Sequence, residues 1–183
     1  MARMTAFEKW FVNRRGEQTF VKLLTELEKA AVVHIDNNSR ILELGGGNGA
    51  FSSMLFDRYH PRLVILTDLD PDQVAVARSL LKKKYGSLPN SFNLGQADAT
   101  HLPYKNESFD IVVAHLILHH LGTKEEVFLG LDEISRVLAS HGQFIYAEFE
   151  HKNEIREHLS HSGFEISFRK VGIQREVVVA VKV

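Results

Sequence analysis

The sequence predicts a doubly wound α/β fold in which five parallel strands joined by helices are followed by a terminal antiparallel hairpin. Three observations carry this. From residue 39 onward, apolar runs of strand length alternate with stretches of helical periodicity, the pattern of right-handed β-α-β units. "SFDIVVAHL" (108–116) is apolar without alternation, as strands buried on both faces of a parallel sheet are. "ILELGGGNGAF" (41–51) runs from a strand into four glycines in five positions and then into a helix.

Taken in order, Thr5 and Glu8 have the spacing of a capping box, and Gly16 breaks the helix they open. Phe20, Leu23, Leu24, Leu27 and Ala31 recur at helical spacing, so an amphipathic helix is expected over 17–32. "RILELG" (40–45) is the first strand, "AFSSMLFDRY" (50–59) a helix and "RLVILTD" (62–68) the second strand. Asp70, Pro71 and Gln73 open the helix "PDQVAVARSLLKKKY" (71–85), with proline in its first turn and glutamine three residues past the cap. "SFNLGQ" (91–96) and "SFDIVVAHL" are the third and fourth strands. Thr123 and Glu126 make a further capping box, ahead of a buried stripe of Val127, Leu131, Ile134 and Leu138. "GQFIYAEF" (142–149) is the fifth strand and 152–162 a short helix. "FEISFRKVG" (164–172) and "REVVVAVKV" (175–183) stand close enough to pair as a hairpin. "VVVAV" does not alternate, which places the last strand inside the sheet.

Composition narrows the class. The chain has 183 residues, 44% of them hydrophobic and 25% charged, with a net charge of −1. That is ordinary for a soluble globular protein of one domain. It lacks the positive excess that nucleic acid or an anionic membrane requires. Arg14-Arg15 and Lys82 to Lys84 are the basic clusters, and the lysines end a helix, where they complement its dipole. There is no cysteine, which removes disulfides, thiolate nucleophiles and Cys-based metal sites and suits the cytoplasm. The longest apolar stretch, "IVVAHLIL" (111–118), is too short to span a bilayer, so no membrane insertion is expected.

A glycine-rich turn between the first strand and its helix lets a ligand approach bare backbone and the helix's N-terminal amides. Gly45, Gly47 and Gly49 therefore read as a nucleotide-cofactor loop, and Gly45, Gly47 and Ala50 also fit the G-x-G-x-x-A dinucleotide fingerprint. Asp68, at the end of the second strand, suits ribose hydroxyls under either reading, with Asp70 as the helix cap.

Four motifs in order over 39–149 resemble the class I S-adenosylmethionine-dependent methyltransferases, and among them the ubiquinone/menaquinone-biosynthesis type (methyltransferase domain 11-like). "LELGGGNG" is similar to their E/D-x-G-x-G-x-G motif, with Glu43 as the acid. "VILTDLDP" resembles the stretch carrying the ribose-binding acid, Asp68 here, with Leu69 beside it on the adenine. "GQADATHLPYKNESFDIVVAHLILHHL" resembles the segment in which an acid, Asp98, accepts from the adenine amino group and Ala99 offers a backbone amide. Tyr104 stands where phenylalanine is common. "RVLASHGQF" resembles R-x-L-K-P-G-G, with Ser140-His141 in place of Pro-Gly. The resemblance implies a Rossmann-like seven-stranded sheet of order 3-2-1-4-5-7-6 with the last strand antiparallel. It also implies one methyltransferase domain over 1–183, comprising an N-terminal helical lid (1–34), a cofactor-binding core (39–149) and a C-terminal hairpin (163–183).

The implied cofactor is S-adenosyl-L-methionine, with S-adenosyl-L-homocysteine as product. Glycine-loop amides suit its carboxylate, and Glu43 its cationic end. Transfer is an in-line displacement that needs a base only when the acceptor must lose a proton. His115, His119 and His120 follow the fourth strand and have the right pKa range for proton transfer. The plainer reading of these histidines is structural, with their segment packing on the sheet; His115 and His119 are the catalytic candidates, and His115, at the strand tip, is also expected beside the methionine end of the cofactor. His115 and His119 at i, i+4 lack a nearby carboxylate in the sequence, so no metal is expected, and Glu148 reads as a substrate-facing acid or, more plainly, as an exposed strand-end acid. No Asn/Asp-Pro-Pro-aromatic motif follows the fourth strand, and no sizeable insertion follows the fifth, which points to a small-molecule acceptor. The alternatives are a noncatalytic S-adenosylmethionine-binding protein and an NAD-binding reductase. The reductase would usually need Tyr-x-x-x-Lys, and no tyrosine here has lysine four residues on.

Overall fold

The computed structural model describes residues 24–171 and 175–183. The Thr5/Glu8 cap, Arg14-Arg15, the Gly16 break and positions 17–23 of the expected first helix lie outside the described residues. Residues 24–29 are helical (α1), and the helix ends there instead of at 32. Ala31 takes φ +52, its N–H donates to the Glu28 carbonyl, and Val32 N–H donates to the Leu27 carbonyl. This is the left-handed Schellman ending, so Ala31 closes the helix it was expected to continue.

The remaining elements are β1 (Arg40–Leu44), α2 (Ala50–Tyr59), β2 (Leu63–Asp68), α3 (Pro71–Tyr85), β3 (Phe92–Gln96) and β4 (Phe109–His115). After them come a 3-10 turn (Leu118–Leu121), α4 (Lys124–Val137), β5 (Leu138–Glu148), α5 (Lys152–His161), β6 (Phe164–Val171) and β7 (Glu176–Lys182). Asp70 caps α3 by accepting from the Asp72 N–H, and the Thr123/Glu126 capping box of α4 forms in both directions.

The seven strands form one sheet of order β3-β2-β1-β4-β5-β7-β6. β1 to β5 pair in parallel, and β7 is antiparallel to both β5 and β6. The apolar run in β7 is explained by its place between two strands. Val178 and Ala180 face the layer of α4 and α5, while Val177 and Val179 face α1 and α2. Val178 and Val179 are both fully buried, and burying each contributes about 1.5–3 kcal/mol. β6 forms an edge, where Glu165, Arg169 and Lys170 are exposed, as suits an unpaired strand border.

β5 begins at Leu138, four residues earlier than "GQFIYAEF" suggests. Leu138 pairs with Phe109, the register then shifts, and pairing resumes at Ile111 with Gln143. Leu138 therefore belongs to the strand and not to the helical stripe, although it is fully buried all the same. His141, inside the irregularity, adopts φ +61 at the position where the resembling motif has glycine.

Candidate functional site

β1, β2 and β4 lie side by side with their carboxyl ends together, the edge where doubly wound sheets bind ligands. The glycine loop crosses this edge. The Gly46 N–H donates to the Thr67 carbonyl at 2.9 Å, tying the loop to β2. Gly45, Gly47 and Gly49 all have positive φ, the region glycine enters without steric penalty. Their surroundings differ. A Cβ at Gly45 would overlap Ile117, one at Gly46 would lie 2.5 Å from Leu66, and one at Gly49 would lie 3.2 Å from Leu66 and 3.3 Å from Leu81. At Gly47 a Cβ would meet nothing within 4 Å among the described residues. Packing accounts for three of the four glycines, and among the described residues nothing covers Gly47.

The sequence-predicted acids stand at the ends of β1 and β2 and just after β3, and Asp68 is the one in contact with Gly47. Glu43, on β1, is 3% exposed and accepts from the Ser52 hydroxyl of α2. Burial pushes its carboxyl up to about 8, the Ser52 hydroxyl and N–H draw it partly back, and the neighbouring Asp68 charge adds to the rise. Asp68 closes β2 and accepts from the Gly47 N–H at 3.0 Å and the Asp70 N–H at 2.9 Å. Leu69 beside it is 39% exposed, with its carbonyl held by the Gln96 side chain. Asp98, half-buried, accepts from the Thr100 N–H and hydroxyl at 2.9 and 2.8 Å, and Ala99 packs against the core next to it. An open glycine position, a buried acid and two further carboxylates at the strand tips match the functional groups of a cationic nucleoside cofactor.

Arg136, from the "RVLASHGQF" motif, donates to the carbonyls of Leu102 and Tyr104, anchoring the loop that follows Asp98. Tyr104 packs edge-on against Phe109 with centroids 5.0 Å apart, so tyrosine fills the usual phenylalanine place as a core ring.

The histidines separate into different environments. His115 closes β4 and His119 lies in the 3-10 turn, so they do not form an i, i+4 pair on one helix. Burial and the positive charge of Arg175 lower His115 to about 3. An imidazole held so firmly neutral is a poor proton acceptor near pH 7. His119 has a different partner, and here two expectations are corrected. Glu148 is fully buried instead of exposed, and its Oε1 lies 2.7 Å from His119 Nδ1, so a carboxylate does stand beside this histidine. Backbone pairing brings them together, because β4 and β5 are neighbours and the chain turns back over β5 directly after His115. The Leu116 N–H donates to the Ala147 carbonyl at 2.8 Å. Among the described residues, no three His, Cys, Asp or Glu side chains group to hold a metal ion.

Sequence reasoning missed Ser52 as the partner of Glu43, Ile117 as the cover of Gly45, and the His119–Glu148 pair. The available signal for the last was that the segment after β4 and the end of β5 must share one sheet edge. Two cavities, of about 430 and 750 Å³, lie at the opposite, amino-terminal edge around His34, Asp110 and Gln143 and around Arg40 and Arg62.

A Rossmann-like sheet with an antiparallel β7, an acid at the end of β1 and an open glycine beside the β2 acid define the methyltransferase class of nucleoside-cofactor folds. The family model described as "Methyltransferase domain" matches residues 42–146. The chain belongs to that family, the class I methyltransferases whose methyl donor is S-adenosylmethionine. It is 35% identical over 111 residues to a malonyl-[acyl-carrier protein] O-methyltransferase of Geobacter sulfurreducens, a match covering 61% of this chain and 39% of the relative. It is 30% identical over 117 residues to a ubiquinone/menaquinone biosynthesis C-methyltransferase of Haemophilus ducreyi, covering 63% and 43%. The chain thus spans less than half the length of these curated relatives. In fold it is similar to a SAM-dependent methyltransferase from Aquifex aeolicus, with a TM-score of 0.78 at 16% identity over 99% of this chain and 100% of the other. Among the described residues no helix is long and apolar enough to cross a membrane.

Proposed function

We propose that this chain transfers a methyl group from S-adenosylmethionine to a small-molecule acceptor in the cytoplasm, with its cofactor core at 39–149. The observation that carries the reading is the open face of Gly47, a positive-φ glycine that packing among the described residues does not require, placed against the β2 carboxylate of Asp68. When bound, the cofactor supplies an electrophilic methyl on a sulfonium with a good leaving group. The chain's residues then bind and orient. Gly45, Gly47 and Gly49 shape a loop whose backbone meets the carboxylate end. Glu43 offsets the cationic end, Asp68 accepts from the ribose diol, and Leu69 packs on the adenine. Asp98 and the Ala99 amide read the adenine edge, and neutral His115 lines the methionine end. Binding in this cleft holds donor and acceptor in line and away from water, which can supply much of the rate enhancement.

The test is calorimetry with S-adenosylmethionine, S-adenosylhomocysteine and NAD. Binding of the first two and not the third is expected. NAD binding without the others would overturn the reading.

A further inference from the structure

Asn48 is the one asparagine in the sequence that glycine follows, and it stands inside the glycine loop. Its side-chain Oδ1 accepts from the Ala50 N–H at 3.1 Å. That bond spans the Gly49 peptide as an Asx turn and folds the amide carbon, Cγ, back toward the Gly49 nitrogen. Gly49 has no side chain to obstruct their approach. The Ala50 N–H belongs to the first residue of α2, where a helix leaves donors without intrahelical acceptors and favours negative charge. It is therefore aimed at the oxygen that turns negative when Cγ is attacked. Opposing this, the Gly49 N–H donates to the Gly46 carbonyl at 2.9 Å. One such bond changes an opening equilibrium by about tenfold, so it delays attack without preventing it. Asn48 is half-buried and within reach of water.

We propose that Asn48 is a self-modification site: the loop deamidates it through a succinimide, and the product closes the cofactor site. The Gly49 nitrogen gives its proton to water or hydroxide and bonds to Asn48 Cγ. The carbonyl electron pair moves onto Oδ1, where the Ala50 N–H meets it. As that pair returns, the Cγ–Nδ2 bond breaks, and Nδ2 takes a proton and leaves as ammonia. Water then opens the five-membered ring. Opening at Cγ leaves aspartate at position 48. Opening at the main-chain carbonyl leaves isoaspartate, in which the chain runs on through Cβ and Cγ. Water is consumed and ammonia released in equal amounts.

The consequence for the cofactor rests on the methyl-transfer reading, in which the loop's backbone meets the carboxylate end. Either product adds a carboxylate to a loop whose Gly47 N–H already bonds Asp68 at 3.0 Å. Isoaspartate also inserts a backbone carbon between Gly47 and Gly49, which hold φ +53 and +79. Like-charge repulsion and a lengthened loop both weaken the hold on an anionic group. A ligand seated on the loop keeps the Gly46–Gly49 bond closed and slows the reaction. Unliganded protein thus ages out of use while liganded protein is preserved.

The experiment ages the full chain in mildly alkaline buffer, with and without saturating S-adenosylhomocysteine. Peptide masses locate the exchange of amide for acid, chromatography separates aspartate from isoaspartate, and calorimetry follows affinity. Asn48 should convert ahead of Asn38, Asn90 and Asn106, which precede serine, serine and glutamate. Saturating ligand should slow its conversion about fivefold or more. Converted protein should bind S-adenosylhomocysteine about tenfold more weakly, and fresh Asn48→Asp should show the same loss. Asn48→Ser keeps a short capping oxygen, so it should bind like fresh wild type and hold that affinity through ageing. An Asn48 that stays an amide while another asparagine converts overturns the proposal. So does converted protein that binds as tightly as fresh protein, or a bound ligand that leaves the rate unchanged. Fresh wild type that does not bind S-adenosylhomocysteine brings down the methyl-transfer reading and the consequence drawn for the cofactor, while the masses of the unliganded samples still decide the modification.

Discussion

Replacing Glu43 by glutamine should stabilise the unliganded protein in mildly alkaline solution and leave it nearly unchanged in acid. Glu43 is 3% exposed, and burial is the largest cause raising its carboxyl from the ordinary 4.5 to about 8. The folded state therefore holds a proton that the unfolded chain releases at lower pH. Stability from this group is fully present below 4.5 and is lost as pH rises to about 8. At about 1.4 kcal/mol per pKa unit, that gap is worth at most about 5 kcal/mol. Glutamine keeps the shape and can still accept from the Ser52 hydroxyl, but carries no charge. Urea denaturation of both proteins at pH 5 and pH 8.5 measures the difference. The variant should lie within about 1 kcal/mol of wild type at pH 5 and about 2–4 kcal/mol ahead at pH 8.5. Parallel pH curves for the two proteins would refute the reasoning. A second readout uses the ligand. A cationic end placed beside Glu43 favours the carboxylate, so S-adenosylhomocysteine binding at pH 7 should release about one proton from wild type and none from the variant, as read by calorimetry in two buffers.

Asp68→Ala should weaken S-adenosylhomocysteine binding by about 1–3 kcal/mol if it holds the ribose diol, and unchanged affinity in calorimetry would remove that role. Gly49→Ala, with φ +79 and a Cβ at 3.2–3.3 Å from Leu66 and Leu81, should destabilise by about 2–4 kcal/mol in urea melts. Gly47→Ala meets no atoms of the described residues and should cost only the left-handed strain of about 1–2 kcal/mol, while its ligand affinity falls about tenfold or more. The opposite ranking would mean that Gly47 is not the ligand-facing position. His141→Gly relieves a left-handed histidine at φ +61 and should stabilise by about 0.5–1 kcal/mol after the added unfolded-chain entropy. A lowered melting temperature would contradict this.

Much of the architecture was legible because its signals are local. Asp70-Pro71 and Thr123-Glu126 mark helix starts through bonds made within three residues, and α2 and α3 run over 50–59 and 71–85 as periodicity indicated. The unalternating valines of β7 announced a strand covered on both sides. Boundaries failed where an apolar residue ended an element. Ala31 closes a helix and Leu138 opens a strand, and periodicity cannot distinguish these from residues that continue a stripe.

The site divides along the same line. Glu43, Asp68, Asp98 and the glycines could be placed at one sheet edge from motif order alone, since each follows directly from a strand end. Which glycine faces a ligand depends on Leu66, Leu81 and Ile117, side chains that only packing brings near. The pairing of His119 with Glu148, 29 residues apart, depends on β5 lying beside β4 and on the chain folding back after His115. The sequence by itself determined the strands, the helices and the chemical inventory of the edge, because hydrophobic period and capping act between near neighbours. Only the tertiary structure decided which of those groups meet and how deeply each is buried, because burial and hydrogen-bond partners arise from elements that are distant along the chain.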